Sequence, residues 1–358
     1  MKTETYVVGD AGSAKGRAAI SAAVAALKRG EVVAIPTETV YGLAALPMAE
    51  AALRAVKGRD DGKPITWAVA TTEAAARLVD LSPPGLRKLA QRFWPGPLTL
   101  VAARRDAIPT ATLGIRVPAH PVALELLKEM GGPLLLSSAN RSGEPDSTDA
   151  AAVRSALDGS IALILDGGPS PLREPSAVVS FSGTRVVVHR EGVISRAMIE
   201  RTAAHHVLIV CTGNTCRSPM AEALLRTLWA RELGITPAQL LEHGGWVSSA
   251  GIAAVAGAPA SEESPALLRA RGSDLKAHRS QPARAELVRG ADLVLALTRR
   301  HLETLVARVP DAAARIELLD PTGHDIADPI GAGPAIYRAC LDEIERALRQ
   351  RIPRLVRK

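Results

Sequence analysis

The stretch VLIVCTGNTCRSPMAE (residues 207–222) joins an apolar run to a helix signal through a short polar loop. The apolar run 206–210 is typical of a buried strand. The pair Ser218-Pro219 indicates a helix with a hydroxyl cap and a proline in its first turn. A strand, a tight loop and a helix N-terminus direct backbone N–H groups and the helix dipole to one point, which favours an anion. The stretch therefore predicts an α/β unit with an anion-binding loop.

Two of the three cysteines in this 358-residue chain lie in this loop, and Cys211 directly follows the strand. The positive field of a helix N-terminus favours the thiolate, which is the nucleophilic form of cysteine. Arg217 can hold two phosphate oxygens with its planar guanidinium. Gly213 and Asn214 tolerate the positive φ that a loop around an anion requires. The loop therefore has the order cysteine, five residues, arginine and serine. This order predicts phosphoryl transfer through a cysteinyl phosphate.

Three other interpretations of Cys211 and Cys216 stay open at this point. The pair could hold a metal with two neighbouring histidines, form a redox couple, or be buried and inert. A step of five residues is unusual for zinc and is not the C-x-x-C spacing of redox motifs. The third cysteine, Cys340, lies on the apolar stripe of a helix expected over 334–352, so we expect an inert core residue.

A phosphatase of this kind also needs a proton donor for the leaving group. The segment DPTGHDIADPIGAG (320–333) offers Asp320, Asp325 and Asp328. Asp328 is the preferred general acid because a carboxylate before proline can be held rigidly over the site, and Asp320 is its rival. Each of the three, taken singly, is also a common turn residue.

These strings resemble the low-molecular-weight protein tyrosine phosphatase family over residues 206–358, together with SSAGI (248–252), HRS (278–280) and ADLVLALTRRH (291–301). The resemblance implies a four-stranded parallel sheet flanked by helices. It implies Cys211 as nucleophile, Arg217 as phosphate clamp and Asp328 as general acid. It also implies that Cys216 can trap Cys211 in a protective disulfide under oxidation. The phosphate-binding loop then comprises Thr212, Gly213, Asn214, Thr215, Cys216 and Ser218, with Asn214 and Ser218 supporting the loop and the thiolate.

The substrate of this half is left between two branches of the family. Members that act on phosphotyrosine usually carry a larger aliphatic residue where this chain has Thr215, whereas the branch similar to bacterial protein arginine phosphatases has threonine there. Both branches usually place an aromatic residue after Asp-Pro, where this chain has Ile330. We therefore expect a phosphoprotein substrate, with phosphoarginine and phosphotyrosine as the two candidates.

The first half places polar clusters after strand-like runs, which is where open α/β sheets bind ligands. PTETVYGL (36–43) and SSANRSG (137–143) supply hydroxyls, KGRDDGKP (57–64) supplies cations, and further cations come from TLGIRVP (112–118) and HREG (189–192). Separate cationic side chains without a basic tail suit a triphosphate, and there is no G-x-x-x-x-G-K-[ST] motif. Each cluster taken alone is typical of a turn, a cap or a solvated face, so the prediction depends on the set.

This set resembles the YrdC-like threonylcarbamoyl-AMP synthase family, with WPGPLT (94–99) and EPSAVV (174–179) as further matches. The resemblance implies a twisted mixed sheet with helices, and it implies synthesis of threonylcarbamoyl-AMP and pyrophosphate from threonine, bicarbonate and ATP with Mg²⁺. This is the first step toward threonylcarbamoyladenosine in tRNA, so a partner is expected in the tRNA threonylcarbamoyl-transfer complex. Ala177, where the family commonly has threonine, is a departure. The implied threonine contacts are Thr37, Arg116 and Ser176, and the implied ATP contacts are Lys57, Arg59, Lys63, Thr112, Ser138, Asn140 and Arg190.

The composition, the net charge and the order of patterns along the chain complete the expectations. Alternating strand and helix patterns indicate an α/β protein with a synthase domain at 1–195, a linker at 196–205 and a phosphatase domain at 206–358. Three cysteines, no signal-like N-terminus and no apolar run near the roughly 18 residues of a membrane span predict a cytoplasmic protein without a membrane partner. The net charge of +7 is spread over both halves. No prosthetic group and no protein metal site are expected.

A different class of function is also considered for each half. The first could be an RNA-binding module without synthase activity, since a concave basic surface would suit RNA. The second could be a redox-sensing or phosphate-binding module with weak catalysis.

Overall fold

The structure, a computed structural model, describes residues 2–58, 62, 64–106, 111–275 and 277–356. The chain divides into two compact units, Met1–Ala203 and Ala204–Lys358. The stretch expected to be a linker contains a helix, Arg196–Ala203, which packs Ile199 and Ala203 into the core of the first unit. No helix in the described part of the chain has the length and apolar character needed to cross a bilayer.

The first unit is built on one mixed sheet, as the sequence resemblance implies. Its order is β1-β8-β2-β3-β7-β4-β6-β5-β9-β10, with both parallel and antiparallel neighbours. The strands within the described residues are β1 (Glu4–Val7), β2 (Val33–Ile35), β3 (Gly42–Ala45), β4 (Thr66–Ala68), β5 (Leu98–Ala103), β6 (Thr112–Arg116), β7 (Leu134–Ser138), β8 (Leu163–Asp166), β9 (Ala177–Ser182) and β10 (Arg185–Arg190).

The helices of this unit cover the sheet and leave one polar strip of it open. On β5, Leu98 and Leu100 join a buried apolar cluster, whereas the alternate residues Thr99 and Val101 face a cavity on the opposite side. The same alternation places the odd residues of β6 in the core and its even residues at the cavity. The helices are α1 (Ala14–Lys28), α2 (Glu50–Lys57), α3 (Thr72–Leu78), α4 (Pro84–Phe93), α5 (Pro121–Met130), α6 (Ala150–Leu157) and α7 (Arg196–Ala203), with a 3₁₀ turn at Pro47–Ala49.

The second unit confirms the predicted four-stranded parallel sheet with helices on both faces. Its order is β12-β11-β13-β14. Val207 and Ile209 of β11 pack under α8 and α12, and Leu208 and Val210 pack on the other face. The strands are β11 (His205–Cys211), β12 (Gly245–Gly251), β13 (Leu293–Ala296) and β14 (Ile316–Leu318). The helices are α8 (Arg217–Glu232), α9 (Glu263–Arg269), α10 (Ala285–Gly290), α11 (Arg299–Arg308) and α12 (Pro334–Val356), with 3₁₀ turns at Pro237–Gln239 and Pro310–Arg315.

This strand order fixes where a ligand can bind. β11 lies between β12 and β13, so the chain leaves it at the point where the order of the sheet reverses. In open α/β sheets the crevice at such a point, beyond the carboxyl ends of the strands, is the ligand site. The loop that follows Cys211 occupies this crevice.

Three local predictions are wrong. Helix α8 begins at Arg217 with Cys216 as its cap residue, so Ser218 is not the cap; its hydroxyl has partners in the loop instead. Asn214 adopts a left-handed φ of 56°, but Gly213 does not. Ile336, which the apolar pattern of the helix expected over 334–352 places in the core, is 52% exposed, and Tyr337 occupies the core position on α12. For Ser218, hydrogen bonds within the folded loop, which a local pattern does not show, decide the outcome.

Candidate active sites

A cavity of about 370 Å³ opens on the polar strip of the first sheet. Hydroxyls and guanidinium groups from widely separated parts of the chain meet here, together with the aliphatic side chains of Val101 and Val178. The structure thus brings together six of the ligand contacts predicted for this half: Thr37, Thr112, Arg116, Ser138, Ser176 and Arg190. Arg59 and Lys63 lie outside the described residues, so their predicted roles are not placed.

Arg116 is buried at the base of this cavity, and Glu38 holds it. The Nη2 group of Arg116 donates to Glu38 Oε1 at 2.5 Å and to Thr39 Oγ1 at 2.9 Å, and its Nε donates to the Gly96 carbonyl at 3.2 Å. The second oxygen of Glu38 accepts the Ala119 amide at 2.9 Å. A buried ion pair with these extra hydrogen bonds fixes the plane of the guanidinium. Sequence reasoning missed Glu38, although it lies inside the PTETVYGL motif.

Lys57 lies behind the cavity wall and organises it. Its Nζ donates to the carbonyl and the hydroxyl of Ser138 at 2.6 and 3.0 Å, and to the Oδ1 and carbonyl of Asn140 at 2.6 and 3.1 Å. Asn140 in turn donates to the Glu144 carbonyl. This buried ammonium fixes the loop 138–140 after β7, and the ATP contacts implied for Lys57 and Asn140 stay predictions.

Arg190 and Ser176 form the opposite side of the cavity. Arg190 donates from Nε and Nη2 to the Ser176 carbonyl at 3.0 and 2.8 Å, and the Ser176 hydroxyl lies 3.1 Å from Thr99 Oγ1. A Cβ on Gly192 would lie 2.1 Å from the Pro175 carbonyl oxygen, so the glycine of HREG permits this close approach. Thr99 is a second residue that the sequence analysis did not assign, although it ends the WPGPLT motif.

In the second unit, the loop 211–218 surrounds the buried thiol of Cys211. The Sγ atom of Cys211 lies 3.0 Å from Ser218 Oγ and accepts the Asn214 amide at 3.3 Å. Asn214 also donates from Nδ2 to Ser218 Oγ at 3.0 Å and to Ser249 Oγ at 2.8 Å. One amide N–H therefore points at the sulfur, and the Ser218 hydroxyl lies within hydrogen-bond distance of it.

Neighbouring loops hold this phosphate-binding loop from outside. The side-chain Oδ1 of Asn214 accepts the Gln281 amide at 2.8 Å. The backbone carbonyl oxygen of Asn214 lies 2.8 Å from His278 Nε2. The Thr215 carbonyl accepts the Ser261 amide at 2.9 Å. A Cβ on Gly251 would lie 2.4 Å from the Thr212 carbonyl oxygen, so the glycine of SSAGI allows the loop to pass close to β12. The loop is thus fixed before any ligand binds.

Arg217 and Asp328 face each other across this loop. The guanidinium of Arg217 is buried, donates to the Ile326 carbonyl from Nη1 at 3.1 Å, and pairs through Nη2 with Asp328, whose side chain is 40% exposed. The two rival aspartates are engaged elsewhere: Asp325 accepts the Arg299 amide, and Asp320 accepts the amide and hydroxyl of Thr322. Although burial opposes it, these Thr322 hydrogen bonds hold the pKa of Asp320 below its usual value.

The other two cysteines have distinct surroundings. Cys216 Sγ lies 3.4 Å from the hydroxyl of Tyr337, and burial together with this contact raises the pKa of Tyr337 to about 12. Cys340 is a buried core residue, as predicted, and burial raises the pKa of its thiol to about 12. All three cysteines are free thiols. The structure does not test the predicted protective disulfide.

His301, on α11, is a further residue of this site that the sequence analysis did not single out, although it ends the ADLVLALTRRH string. It is buried, with Nε2 at 2.8 Å from Thr212 Oγ1 and Nδ1 at 2.9 Å from Thr298 Oγ1. Burial and the positive charge of Arg217 lower the pKa of His301 to about 4, against the opposite effect of Asp328 and Asp325. A neutral imidazole therefore connects α11 to the first residue after the nucleophile.

This lowered pKa predicts a pH dependence of stability. The unfolded chain protonates His301 near pH 6.5, whereas the native state protonates it only near pH 4. The stability from this residue should be complete above pH 6.5 and should fall as the pH decreases toward 4, by up to about 3 kcal/mol. Amide exchange of β11 at pH 7 and pH 5, corrected for intrinsic rates, measures the loss, and His301→Gln should reduce it. An identical pH dependence in the variant would contradict the assignment.

Among the described residues, no group of three or more His, Cys, Asp or Glu side chains is arranged to hold a metal ion. The chemical groups at hand are a nucleophilic thiol in an amide-lined loop, an arginine and a carboxylate in the second unit. In the first unit they are cations and hydroxyls around a cavity.

Comparisons with known proteins match each unit to a family. A family described as "Telomere recombination" (Sua5_yciO_yrdC) matches residues 25–192, and the family "Low molecular weight phosphotyrosine protein phosphatase" matches residues 206–358. A Mycobacterium tuberculosis protein provisionally named threonylcarbamoyl-AMP synthase is 39% identical over 206 residues, which are 55% of this chain and 94% of that protein. A protein-arginine-phosphatase of Geobacillus stearothermophilus is 39% identical over 145 residues, which are 39% of this chain and 89% of that protein.

A solved structure of P. abyssi Sua5 aligns with a TM-score of 0.51 and 29% identity, covering 64% of this chain and 76% of that one. Folds, sites and comparisons together define a bifunctional enzyme, a transferase followed by a hydrolase. The chain belongs to the Sua5/YrdC threonylcarbamoyl-AMP synthase family through its first half and to the low-molecular-weight protein phosphatase family through its second half.

Proposed function

We propose that the first unit forms L-threonylcarbamoyl-AMP and pyrophosphate from L-threonine, bicarbonate and MgATP. The observation that supports this most is the cavity, where six predicted ligand contacts meet on one face of the sheet. In the proposed reaction, the amino group of threonine takes up bicarbonate as a carbamate with loss of water. A carbamate oxygen then attacks the α-phosphorus of ATP and displaces pyrophosphate.

The residues of the cavity would act by positioning and by charge neutralisation. Arg116, preset by Glu38, would bind the carboxylate of threonine, and Thr37 and Ser176 would hydrogen-bond its polar groups. Arg190 and Thr112 would contact ATP from one side, and the loop 138–140 fixed by Lys57 would contact it from the other. Magnesium enters as part of MgATP. Fixed donors around a labile carbamate lower the cost of bringing the reactants together and keep water out.

Pyrophosphate release by the full chain tests this proposal. It should require threonine and bicarbonate together with ATP. Steep salt dependence of RNA binding without ATP consumption would instead favour the RNA-binding alternative. We also propose a cytoplasmic location, where ATP, threonine and bicarbonate are present, and transfer of the product to tRNA by a separate threonylcarbamoyl-transfer complex.

We propose that the second unit hydrolyses phosphoproteins through a cysteinyl phosphate. Cys211 would attack the phosphorus while Arg217 and the loop amides hold the phosphoryl oxygens, and Asp328 would protonate the leaving atom. Asp328, now as a base, would then activate the water that releases inorganic phosphate. Two contacts support this proposal most. Asn214 and Ser218 both contact the Cys211 sulfur, and Arg217 pairs with Asp328.

We propose phosphoarginine rather than phosphotyrosine as the substrate class. Thr215 lies in the loop with its Oγ1 3.6 Å from Cys216 Sγ, so a short hydroxyl-bearing side chain stands at this position. A hydroxyl there can hydrogen-bond the guanidinium group of phosphoarginine, which a phenol ring cannot use. Ile330, 68% exposed and two residues after Asp328, leaves this stretch without an aromatic wall. The arginine phosphatase relative supports the same choice.

Replacement of Thr215 by isoleucine should invert this preference. The larger apolar side chain removes the hydroxyl and fills the space beside it. We expect kcat/KM on a phosphoarginine peptide to fall by about tenfold or more, with a smaller change or a gain on the matched phosphotyrosine peptide. Thr215→Val is the matched control, because it removes the hydroxyl but keeps the shape. A wild-type preference for phosphotyrosine, or no effect of either variant, would refute the assignment.

A further inference from the structure

A hydrogen bond joins an exposed side chain of the phosphate-binding loop to a buried histidine. Thr212 directly follows the nucleophile and is exposed, whereas His301 of α11 is only 3% exposed. Thr212 Oγ1 lies 2.8 Å from His301 Nε2, and the Nδ1 atom of the same ring lies 2.9 Å from Thr298 Oγ1. The phosphatase reaction proposed above uses neither the Thr212 hydroxyl nor the imidazole.

Other hydrogen bonds already fasten the two segments that this contact joins. The Thr212 carbonyl accepts the Ala253 amide at 3.0 Å, which holds the backbone at the start of the loop. Helix α11 has its own cap, since Thr298 Oγ1 accepts the His301 amide at 3.3 Å. The contact of the imidazole with Thr212 therefore acts on the side chain, and its effect is to fix the direction of one hydroxyl.

This fixed hydroxyl keeps hydrogen-bonding capacity for a ligand. A threonine oxygen carries one proton and two lone pairs, and a neutral imidazole has one donor and one acceptor nitrogen. In either tautomer of His301, the bond to Thr212 uses one proton or one lone pair, so at least one lone pair remains. Within the described residues the Thr212 hydroxyl has no second partner. It can thus accept a hydrogen bond from a bound substrate.

The hydroxyl lies in the region where the leaving group departs. Burial lowers the pKa of His301, and the charges of Arg217 and Asp328 act on it in opposite directions, so the imidazole lies close to this pair. In the proposed reaction Asp328 protonates the leaving atom, which is a guanidinium nitrogen when the substrate is phosphoarginine. The other N–H groups of a guanidinium are donors and need acceptors in the site. A phenol leaving group has no N–H group to offer.

We propose that Thr212, oriented by His301, accepts a hydrogen bond from the guanidinium group of a phosphoarginine substrate and is a second specificity residue beside Thr215. His301 is then a positioning residue, because it touches Thr212 and not the substrate. Thr215 Oγ1 would lie 3.5 Å from a Cβ placed on Gly213, so the second hydroxyl adjoins the residue that follows Thr212. The inference deepens the proposed phosphatase function and rests on it for the substrate class.

The test compares kcat/KM of the full chain on a phosphoarginine peptide, on the matched phosphotyrosine peptide and on p-nitrophenyl phosphate. Thr212→Val removes the hydroxyl but keeps the shape of the side chain and the backbone amide. Its kcat/KM on the phosphoarginine peptide should fall about tenfold, at least about five times more than on the other two substrates. Thr212→Ser retains a hydroxyl and should keep most of the preference for phosphoarginine.

Variants at position 301 separate positioning of the hydroxyl from support of the fold. His301→Gln can still hydrogen-bond Thr212 and should keep a preference close to that of the wild type. His301→Leu has no polar side-chain atom and should lose the preference as Thr212→Val does. The double variant of Thr212→Val with His301→Leu should lose no more of the preference than either single variant, because both remove the same hydrogen bond. A purely structural role of His301 would instead lower turnover of all three substrates alike.

Two outcomes would overturn the inference while the proposed function stands. Equal losses of Thr212→Val on all three substrates would make the hydroxyl a phosphate contact or a support of the loop. An unchanged preference would exclude contact with the guanidinium.

Failure of the proposed function has separate signatures in the wild-type chain, and the inference would fail with it. A wild-type chain without turnover of p-nitrophenyl phosphate would show that the second unit is not a phosphatase. A wild-type preference for the phosphotyrosine peptide would refute the phosphoarginine substrate class, whatever the Thr212 variants show.

Discussion

Replacing Cys211 by serine should abolish phosphatase turnover and leave pyrophosphate release by the first unit within about twofold of the wild type. Serine is nearly isosteric with cysteine and can keep the hydrogen bonds from Asn214 and Ser218. Its hydroxyl, however, does not ionise near neutral pH, and no base in the loop replaces the thiolate chemistry. Loss of a catalytic nucleophile typically costs at least about 10⁴-fold in kcat.

Two further variants, measured in the same phosphatase assay, serve as a control and as a test of the general acid. Cys340→Ala removes a buried core thiol whose sulfur lies 3.6 Å from the Ala327 carbonyl, so turnover should persist. Asp328→Asn should slow turnover by about 10² to 10⁴-fold, and least for substrates with good leaving groups, because a general acid matters most for poor ones. A catalytically weak sensor module would instead show little turnover in the wild type and no dependence on Asp328.

Comparison of the two activities tests whether the units work independently. Threonine- and bicarbonate-dependent pyrophosphate release, measured on the same Cys211→Ser preparation, is the internal control for folding of the chain. Equal loss of both activities would contradict two separate sites.

Most of the fold could be predicted because its signals are local. The apolar run before Cys211 and the helix signal after it specify β11, the loop and α8 from neighbouring residues alone. The apolar runs 133–137 and 185–189 are typical of strands and match β7 and β10 within one residue at each end for the same reason. The alternation of side chains along β5 also predicts which face of the strand lines the cavity, since a period of two can be recognised without knowing the partner strand.

The details that failed depend on distant partners. A serine before a proline has the local pattern of a helix cap, but Ser218 Oγ contacts Cys211 and Asn214 in the folded loop, and the helix begins one residue earlier. Local preference for a cap is worth only about 1 kcal/mol, so a buried hydrogen-bond network can override it. Gly213 shows the same limit, because permission for a positive φ does not impose one.

The hydrogen-bond partners of the predicted site residues could not be predicted from the sequence for a related reason. Glu38 lies 78 residues from Arg116, and Thr212 lies 89 residues from His301. The sequence motifs contained Glu38 and His301, yet nothing local states which cation a glutamate will meet or which hydroxyl an imidazole will face. Such pairs are set by the order of strands in the sheet, which periodicity does not encode.

Replacing Arg116 by lysine should strongly reduce the synthase activity and spare the phosphatase. Arg116 uses Nε and Nη2 for Gly96, Glu38 and Thr39, and in the part of the chain that the structure describes its Nη1 has no protein partner. In the function we propose, that nitrogen would donate to the threonine carboxylate. A lysine retains the charge opposite Glu38 but has a single nitrogen, which cannot serve the protein and the ligand in this geometry.

We expect kcat/KM for threonine to fall by about 100- to 1000-fold, since a charge-assisted contact to a carboxylate is lost from a buried site. The loss should lie mainly in KM for threonine, with KM for ATP changed by less than about threefold. Steady-state pyrophosphate release, with each substrate varied in turn, measures both. Arg87→Lys, an exposed change on α4, is the matched control and should have no effect.

Glu38→Gln separates positioning from direct binding. It keeps the guanidinium but removes the carboxylate that fixes its plane, so KM for threonine should rise less than in Arg116→Lys. If Arg116 instead bound the triphosphate, Arg116→Lys would raise KM for ATP at least as much as KM for threonine. The ratio of the two changes therefore decides which substrate occupies the base of the cavity, because the buried pair with Glu38 keeps Arg116 from reaching both ends.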